Sequence, residues 1–315
     1  MASEAPNSKT VHVGHLGGTK VGYVMNRKTL ANSKPTVVLI PPFITSTTFF
    51  RPQLNDEALG EVANLIAMEP LGHGNTSTRS PCFTAWDSAI AFWQALDSLG
   101  VKKVFVLGSS QAGWIAARMA LLAPDRVLGL IPVSTTLSAN GSHITELGSI
   151  DFAGMLTQTI SGLSATDANF ALPSAIVQGS ADLSLGPDGT AADKKLVFED
   201  SNKYYTGDTG RKKFVEASIA LITRDCLHLR LDAITCPVLW IRGGEDKIFT
   251  EGVAKQDIEH LKNASVTTEV VDGGYHAPTW THAEKLNGVL LEFIKKHGGK
   301  GDARGLREAV GMVDI

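Results

Sequence analysis

Three residues of this chain, Ser110, Asp246 and His276, have the types and local settings that nucleophilic catalysis requires. A serine hydroxyl attacks a carbonyl once a base takes its proton, and the base works when an acid holds its ring in the productive orientation. Ser110 lies in Gly108-Ser109-Ser110-Gln111-Ala112, between the apolar run 104–107 and an apolar helical pattern over 114–120. Small residues two before and two after a serine let strand and helix approach closely through a strained turn. That turn lifts the hydroxyl clear of the sheet and aims the Gln111 N–H at an oxyanion. Asp246 ends the Gly turn Arg242-Gly243-Gly244-Glu245-Asp246 after the apolar run 238–241, and His276 ends Asp272-Gly273-Gly274-Tyr275-His276 after the run 266–271. Each position has a neighbour to weigh against it. Ser109 is the alternative nucleophile. Glu245 competes with Asp246, since adjacent side chains diverge and only one can face the imidazole. His282, in the first turn of the last helix, is the nearest rival base.

Strand and helix signals alternate around these residues. Segments 11–16 and 21–26, split by Gly17-Gly18-Thr19-Lys20, predict an opening hairpin. Strands are expected at 36–40, 61–68, 104–107, 127–133, 237–241 and 266–271. Helices are expected at 83–99, with apolar residues near 3.6 spacing and Gly100 as the stop, and at 286–297. Such alternation implies an α/β fold with a mostly parallel sheet covered by helices on both faces. Between residues 135 and 231 the alternation lapses into helix-like stretches at 144–163, 191–205 and 211–231. This length is too great for a loop, so it is expected to be a helical insertion over the carboxyl edge of the sheet, with residues 1–134 and 232–315 forming the core.

Composition narrows the function. The chain has 315 residues, 43% hydrophobic, a net charge of −3 and a pI near 6.3. It can bury a large core and carries no basic run suited to nucleic acid; Arg211-Lys212-Lys213 reads as the solvated start of a helix. The first residues lack the basic and apolar regions of a signal peptide, and no apolar run reaches membrane-spanning length, so a cytoplasmic protein without membrane attachment is expected. Cys82, Cys226 and Cys236 form neither a disulfide framework nor a metal set, and sequons at Asn75, Asn140 and Asn263 are taken as chance. No metal-ligand spacing or dinucleotide loop is present, and hydrolysis by a serine requires no cofactor. The residues after Gly298, Gly-rich and charged, read as a loosely held tail.

In order and spacing, the chain resembles the α/β-hydrolase superfamily, in the capped branch that includes esterases, lactonases and C–C bond hydrolases. The resemblance runs over residues 11–296 and rests on the serine turn, the order Ser110, Asp246, His276, and three further motifs. Leu39-Ile40-Pro41-Pro42-Phe43 stands where the family often has a strand followed by His-Gly-Phe, Glu69-Pro70-Leu71-Gly72-His73-Gly74-Asn75-Thr76 is similar to its D-x-x-G-x-G-x-S loop, and residues 121–127 resemble its helix-to-strand junction. The family's G-x-x-D spacing from Gly243 points to Asp246 as the acid. Pro42 has no N–H to donate, so the resemblance makes Phe43 the second oxyanion donor beside Gln111. A serine at the elbow argues against relatives with an aspartate nucleophile, and Pro132-Val133-Ser134-Thr135 offers no acid after the next strand.

The implied activity is hydrolysis of a small hydrophobic carboxylic ester or lactone through an acyl-enzyme, with Trp114, Tyr275 and Trp280 as candidate pocket residues. His73 could touch the pocket, with a structural turn the plainer reading. A C–C bond hydrolase of β-diketone-like compounds would use the same triad. A synthase or acyltransferase using an alcohol, and a ligand-binding protein that keeps the triad for recognition, are the other readings.

Overall fold

A computed structural model of the chain describes residues 8–299; the readings of the first seven residues and of the tail from residue 300 lie outside them. Nine strands form one sheet: β1 (Lys9–Val13), β2 (Thr19–Met25), β3 (Thr36–Ile40), β4 (Asn64–Met68), β5 (Ser77–Thr78), β6 (Val104–Ser109), β7 (Val127–Val133), β8 (Val238–Gly243) and β9 (Val266–Val271). Their spatial order is β1-β2-β4-β3-β6-β7-β8-β9, with β5 paired to β2. From β4 to β9 every pairing is parallel, and β1, β2 and β5 are joined antiparallel.

The two-residue period of a strand explains the layers. Val38, Ile40, Val106 and Trp240 enter one core, against helices Ala85–Ser98, Gln111–Leu122 and Glu251–Glu259. Their neighbours Val37, Leu39, Leu107 and Ile241 enter the other, against Glu57–Val62 and Ala283–His297. Both faces are therefore dry, which is why the central strands read as unbroken apolar runs. Gly129 in β7 marks a close approach of sheet and helix: a Cβ there would lie 2.7 Å from the Phe293 ring of the last helix.

The chain steps from β3 to β4 on one side and then returns to β6 on the other. Loops leaving β3 and β6 consequently part in opposite directions and open a crevice at the carboxyl edge, the usual ligand position in open α/β sheets. Above that edge, the connection from β7 to β8 carries five α-helices, Ser142–Glu146, Phe152–Ser161, Ser174–Leu185, Ala191–Tyr204 and Gly207–Ile222. No helix among the described residues is long and apolar enough to cross a membrane.

Several boundaries differ from the sequence expectation for local reasons. Glu61 and Val62 belong to a helix, not to β4, because the Asp56 side chain caps that helix at the Leu59 N–H. The stretch 144–163 is two helices broken around Gly148, whose φ is +86°. Residues 211–231 are likewise a helix ending at Ile222 and a separate 3-10 turn, His228–Ala233. Ser174–Leu185, rich in small residues, gave no periodic signal. The run Arg211-Lys212-Lys213 is solvated only at Lys212: Arg211 is buried against Asp208, and the Lys213 ammonium donates to the Gly74 carbonyl.

Candidate active site

Ser110 sits between β6 and the helix Gln111–Leu122 with φ +56° and ψ −125°, a conformation that a non-glycine residue holds only when its surroundings enforce it. The Ser110 N–H donates to Val133 O at 2.9 Å, while its carbonyl accepts from Gly113 N at 2.9 Å and from Thr135 Oγ1 at 2.6 Å. A Cβ at Gly108 would overlap the Ala112 carbonyl, and one at Gly113 would overlap the Thr135 side chain. Small residues at this turn are thus a steric condition for the strand and helix to meet. Ser109 ends the strand with its Oγ buried and unpartnered, whereas Ser110 stands at the apex with partial exposure.

Asp246 and His276 meet at the ends of β8 and β9. His276 Nδ1 lies 2.9 Å from Asp246 Oδ2 and 3.1 Å from Oδ1, with the Asp246 side chain fully buried. Asp246 Oδ1 also accepts from the N–H groups of Ile248 at 2.8 Å and Phe249 at 3.1 Å, so the carboxylate is fixed before it meets the ring. Close loop packing makes this possible. A Cβ at Gly243 would overlap the Tyr275 and Gly274 carbonyls, and Glu245 N donates to Gly274 O at 2.8 Å. Glu245 itself is exposed. His282 lies away from this group, with Nδ1 2.9 Å from Thr281 Oγ1 and Nε2 3.7 Å from Asp188.

Ser110, His276 and Phe43 line one cleft whose wall is mostly apolar and includes Ile144, Phe152 and Phe249. Phe43 follows β3 in the Pro41-Pro42-Phe43-Ile44 turn, where Ile44 takes φ +55°. That turn is held from the insertion: Ser201 Oγ donates to Ile44 O at 2.9 Å, and the Asp200 carboxylate accepts from Ser46 N at 3.0 Å and Ser46 Oγ at 2.8 Å. Gln111 opens its helix, so its N–H has no intrahelical acceptor. The Gln111 side chain is pinned by His73, whose Nε2 lies 2.7 Å from Gln111 Nε2 and whose Nδ1 lies 3.0 Å from Leu71 O. A carbonyl only accepts, so Nδ1 carries the proton and Nε2 accepts from the Gln111 amide. Burial lowers the His73 pKa to about 4 and keeps the ring neutral.

Of the expected pocket residues, Trp114 lines the cleft, and Tyr275 and Trp280 do not. Tyr275 packs its ring over Gly186, and the Trp280 indole donates to Asp193 Oδ1 at 3.0 Å, so both side chains are taken up by the inserted helices. His143 and His228 lie outside the lining as well: His143 Nε2 is 2.7 Å from Ser138 Oγ, and His228 Nε2 is 2.6 Å from Asp257 Oδ1. Sequence reasoning missed Arg224 and Asn140, which do line the cleft. A lone arginine shortly after an apolar helical stretch was the only signal for the first.

A parallel sheet with a strained serine turn, and a buried His-Asp pair at the same edge, define a hydrolase of the α/β type. The α/β-hydrolase fold family model matches residues 35–283, and the chain belongs to that family. A protein of Stutzerimonas stutzeri (strain A1501), provisionally named as the carbamate hydrolase RutD, is 24% identical over 267 residues, covering 84% of this chain and 94% of its own. The 2-hydroxy-6-oxononadienedioate/2-hydroxy-6-oxononatrienedioate hydrolase of Burkholderia vietnamiensis (strain G4 / LMG 22486) is 25% identical over 206 residues, 64% of this chain and 65% of its own. Among solved structures, the enol-lactonase of Burkholderia xenovorans LB400 superposes with a TM-score of 0.72 at 15% identity, covering 90% of this chain and all of the other, which shows the shared fold.

Proposed function

We propose that this hydrolase cleaves a small, mainly apolar carboxylic ester or lactone through an acyl-enzyme on Ser110. The observation that carries the reading is the His276–Asp246 contact at 2.9 Å beside the cleft that Ser110 shares. With Nδ1–H donated to Asp246, His276 presents Nε2 as the base that takes the Ser110 proton. Oγ then bonds to the carbonyl carbon, and the Gln111 and Phe43 N–H groups receive the oxyanion. The Nε2 proton passes to the departing alkoxide, which leaves as the alcohol. Water, deprotonated by the same nitrogen, attacks the acyl carbon; the bond to Ser110 Oγ breaks, the Nε2 proton returns to Oγ, and the acid is released. Residues 135–231 act as a cap: they roof the cleft and select what enters, and the core residues supply the chemistry.

The name of the Burkholderia vietnamiensis relative supports a second reading, in which the same serine and histidine cleave a carbon–carbon bond next to a ketone. Product analysis on esters, lactones and β-diketones separates the two. Fluorophosphonate should label one site per chain, abolish turnover in step with labelling, and fail to label Ser110→Ala. Full turnover by fluorophosphonate-labelled enzyme would overturn both readings.

A further inference from the structure

Two buried arginines lie near the serine helix, and the fold satisfies them differently. Arg118 pairs with the Asp225 carboxylate and donates to Trp114 O at 3.0 Å. Arg224 is 7% exposed, and it alone supplies a Lys or Arg to the cleft lining among the described residues. Its Nε donates to Ser138 O at 2.8 Å, and its Nη1 donates to Asn140 Oδ1 and to Leu221 O at 3.3 Å. Asn140 is itself fixed, because its amide donates to Leu221 O at 3.1 Å and Ile222 O at 2.8 Å. The guanidinium carbon lies 3.7 Å from the centroid of the Trp114 indole. Arg224 Nη2, and likewise Trp114 Nε1, are buried with no hydrogen-bond partner among the described residues.

An unpaired buried cation is costly, and a protein retains one where something else completes it. The acid whose charge reaches Arg224, Asp257, is already engaged by His228 Nε2 at 2.6 Å and Leu137 N at 2.8 Å. Burial lowers the Arg224 pKa to about 9, which still leaves it charged at neutral pH. The one acid on the cleft lining, Asp151, is exposed and caps the helix Phe152–Ser161. Arg224 is therefore held in place on the cleft wall, charged, with Nη2 still lacking an acceptor among the described residues.

We propose that Arg224, stacked on Trp114, anchors a carboxylate of the substrate, so that the substrate class is an apolar ester or lactone carrying one acid group away from the scissile carbonyl. This deepens the reading of Ser110 as nucleophile and rests on it. Trp114 lies about 6 Å of helix rise beyond Ser110, so several atoms separate the acid from the reacting carbonyl. With Nε and Nη1 already engaged, Nη2 is the donor left for a carboxylate oxygen, and the fixed positive charge behind it favours an anion over a neutral group.

The test compares p-nitrophenyl monoesters of medium-chain straight diacids with the same compounds capped as methyl esters. Wild-type kcat/KM should favour the free acid by about tenfold or more at one chain length, through KM, and Arg224→Gln should erase that preference, bringing the free acid down to the kcat/KM of the capped ester. Equal losses on both substrates would make Arg224 a brace for residues 138–140 only and overturn the proposal, as would a wild type that prefers the capped ester at every length. Should Arg224→Gln fail to fold, calorimetric titration of folded Ser110→Ala decides: the free acid should bind about tenfold more tightly than the capped ester, and equal affinities would contradict the anchor. Fluorophosphonate labelling keeps the two ideas apart. Labelled enzyme without acid preference removes the anchor alone, and unlabelled, active enzyme removes the nucleophile.

Discussion

The floor and the roof of the cleft are built in different ways. The floor comes from the ends of β3, β6, β8 and β9; every residue of β3, β4 and β6 is buried, while β9 at the sheet edge buries Val271 alone. Two helices of the roof bury little, Phe152–Ser161 burying Leu156 alone and Ala191–Tyr204 Ser201 alone, whereas Gly207–Ile222 buries Phe214, Ala217 and Leu221 in the same core as one face of the sheet. Directional polar contacts fasten the roof to the floor, among them Tyr205 Oη to Gly72 O at 2.8 Å and Asp200 to Ser46. Tight apolar packing resists displacement of a few tenths of an ångström, whereas a thinly packed helix held by a few hydrogen bonds can change its face without unfolding the core. Ser110 and Asp246, proposed for chemistry, follow tightly packed strands, His276 follows the edge strand β9, and Phe152, proposed for selection, stands on a thinly packed helix.

The sharpest way to break this contrast is to delete the proposed nucleophile. Ser110→Ala should lower kcat by about 10⁶-fold, the scale found when a serine nucleophile is removed elsewhere, with an unchanged melting profile. Retained turnover would move the chemistry off the floor. Asp246→Asn comes next, with an expected loss of about 10⁴-fold in kcat and little change in KM, since it leaves the ring in the wrong tautomer. The companion change Glu245→Gln should stay within about twofold, and the opposite ranking would move the acid to Glu245.

His73 tests the floor through pH. Burial lowers its pKa from 6.5 to about 4, so as pH falls the unfolded chain takes up this proton first. Its stabilising effect is complete above pH 6.5 and shrinks as pH falls towards 4, by up to about 3 kcal/mol. Urea denaturation should therefore give His73→Gln a flatter fall in stability than wild type across that window, and parallel curves would contradict a buried neutral ring. The smallest effects belong to the roof. Ile144→Ala and Phe152→Ala should reorder substrates through KM by about tenfold, yet leave Ser110 acylation by a small activated ester nearly unchanged. A loss of that acylation as deep as in His276→Ala would erase the distinction between floor and roof.

How much of this could be read beforehand follows from the range of the forces involved. The serine turn was legible because its constraint is local: a Cβ at position 108 would clash with Ala112, four residues away. The parallel sheet was legible because strands dry on both faces leave continuous apolar runs. The choice between Asp246 and Glu245 was open in the residues themselves, because the orientation depends on Gly243 packing against carbonyls of the next strand's loop. Pocket membership was least legible. Tyr275 and Trp280 sit beside the right motifs, yet Gly186 and Asp193 of the insertion draw their side chains aside. Arg224 acquires meaning only once Ser138, Asn140 and Trp114 are brought around it by the fold.

The most direct measurement is acid quenching of the enzyme within a turnover of a p-nitrophenyl ester, followed by peptide mass mapping. Acylation at Ser110 should be found on the peptide spanning residues 108–113, with the adduct decaying at a rate that accounts for kcat. An acyl group on Ser109, or steady turnover with no acyl group on either serine, would contradict the proposed mechanism.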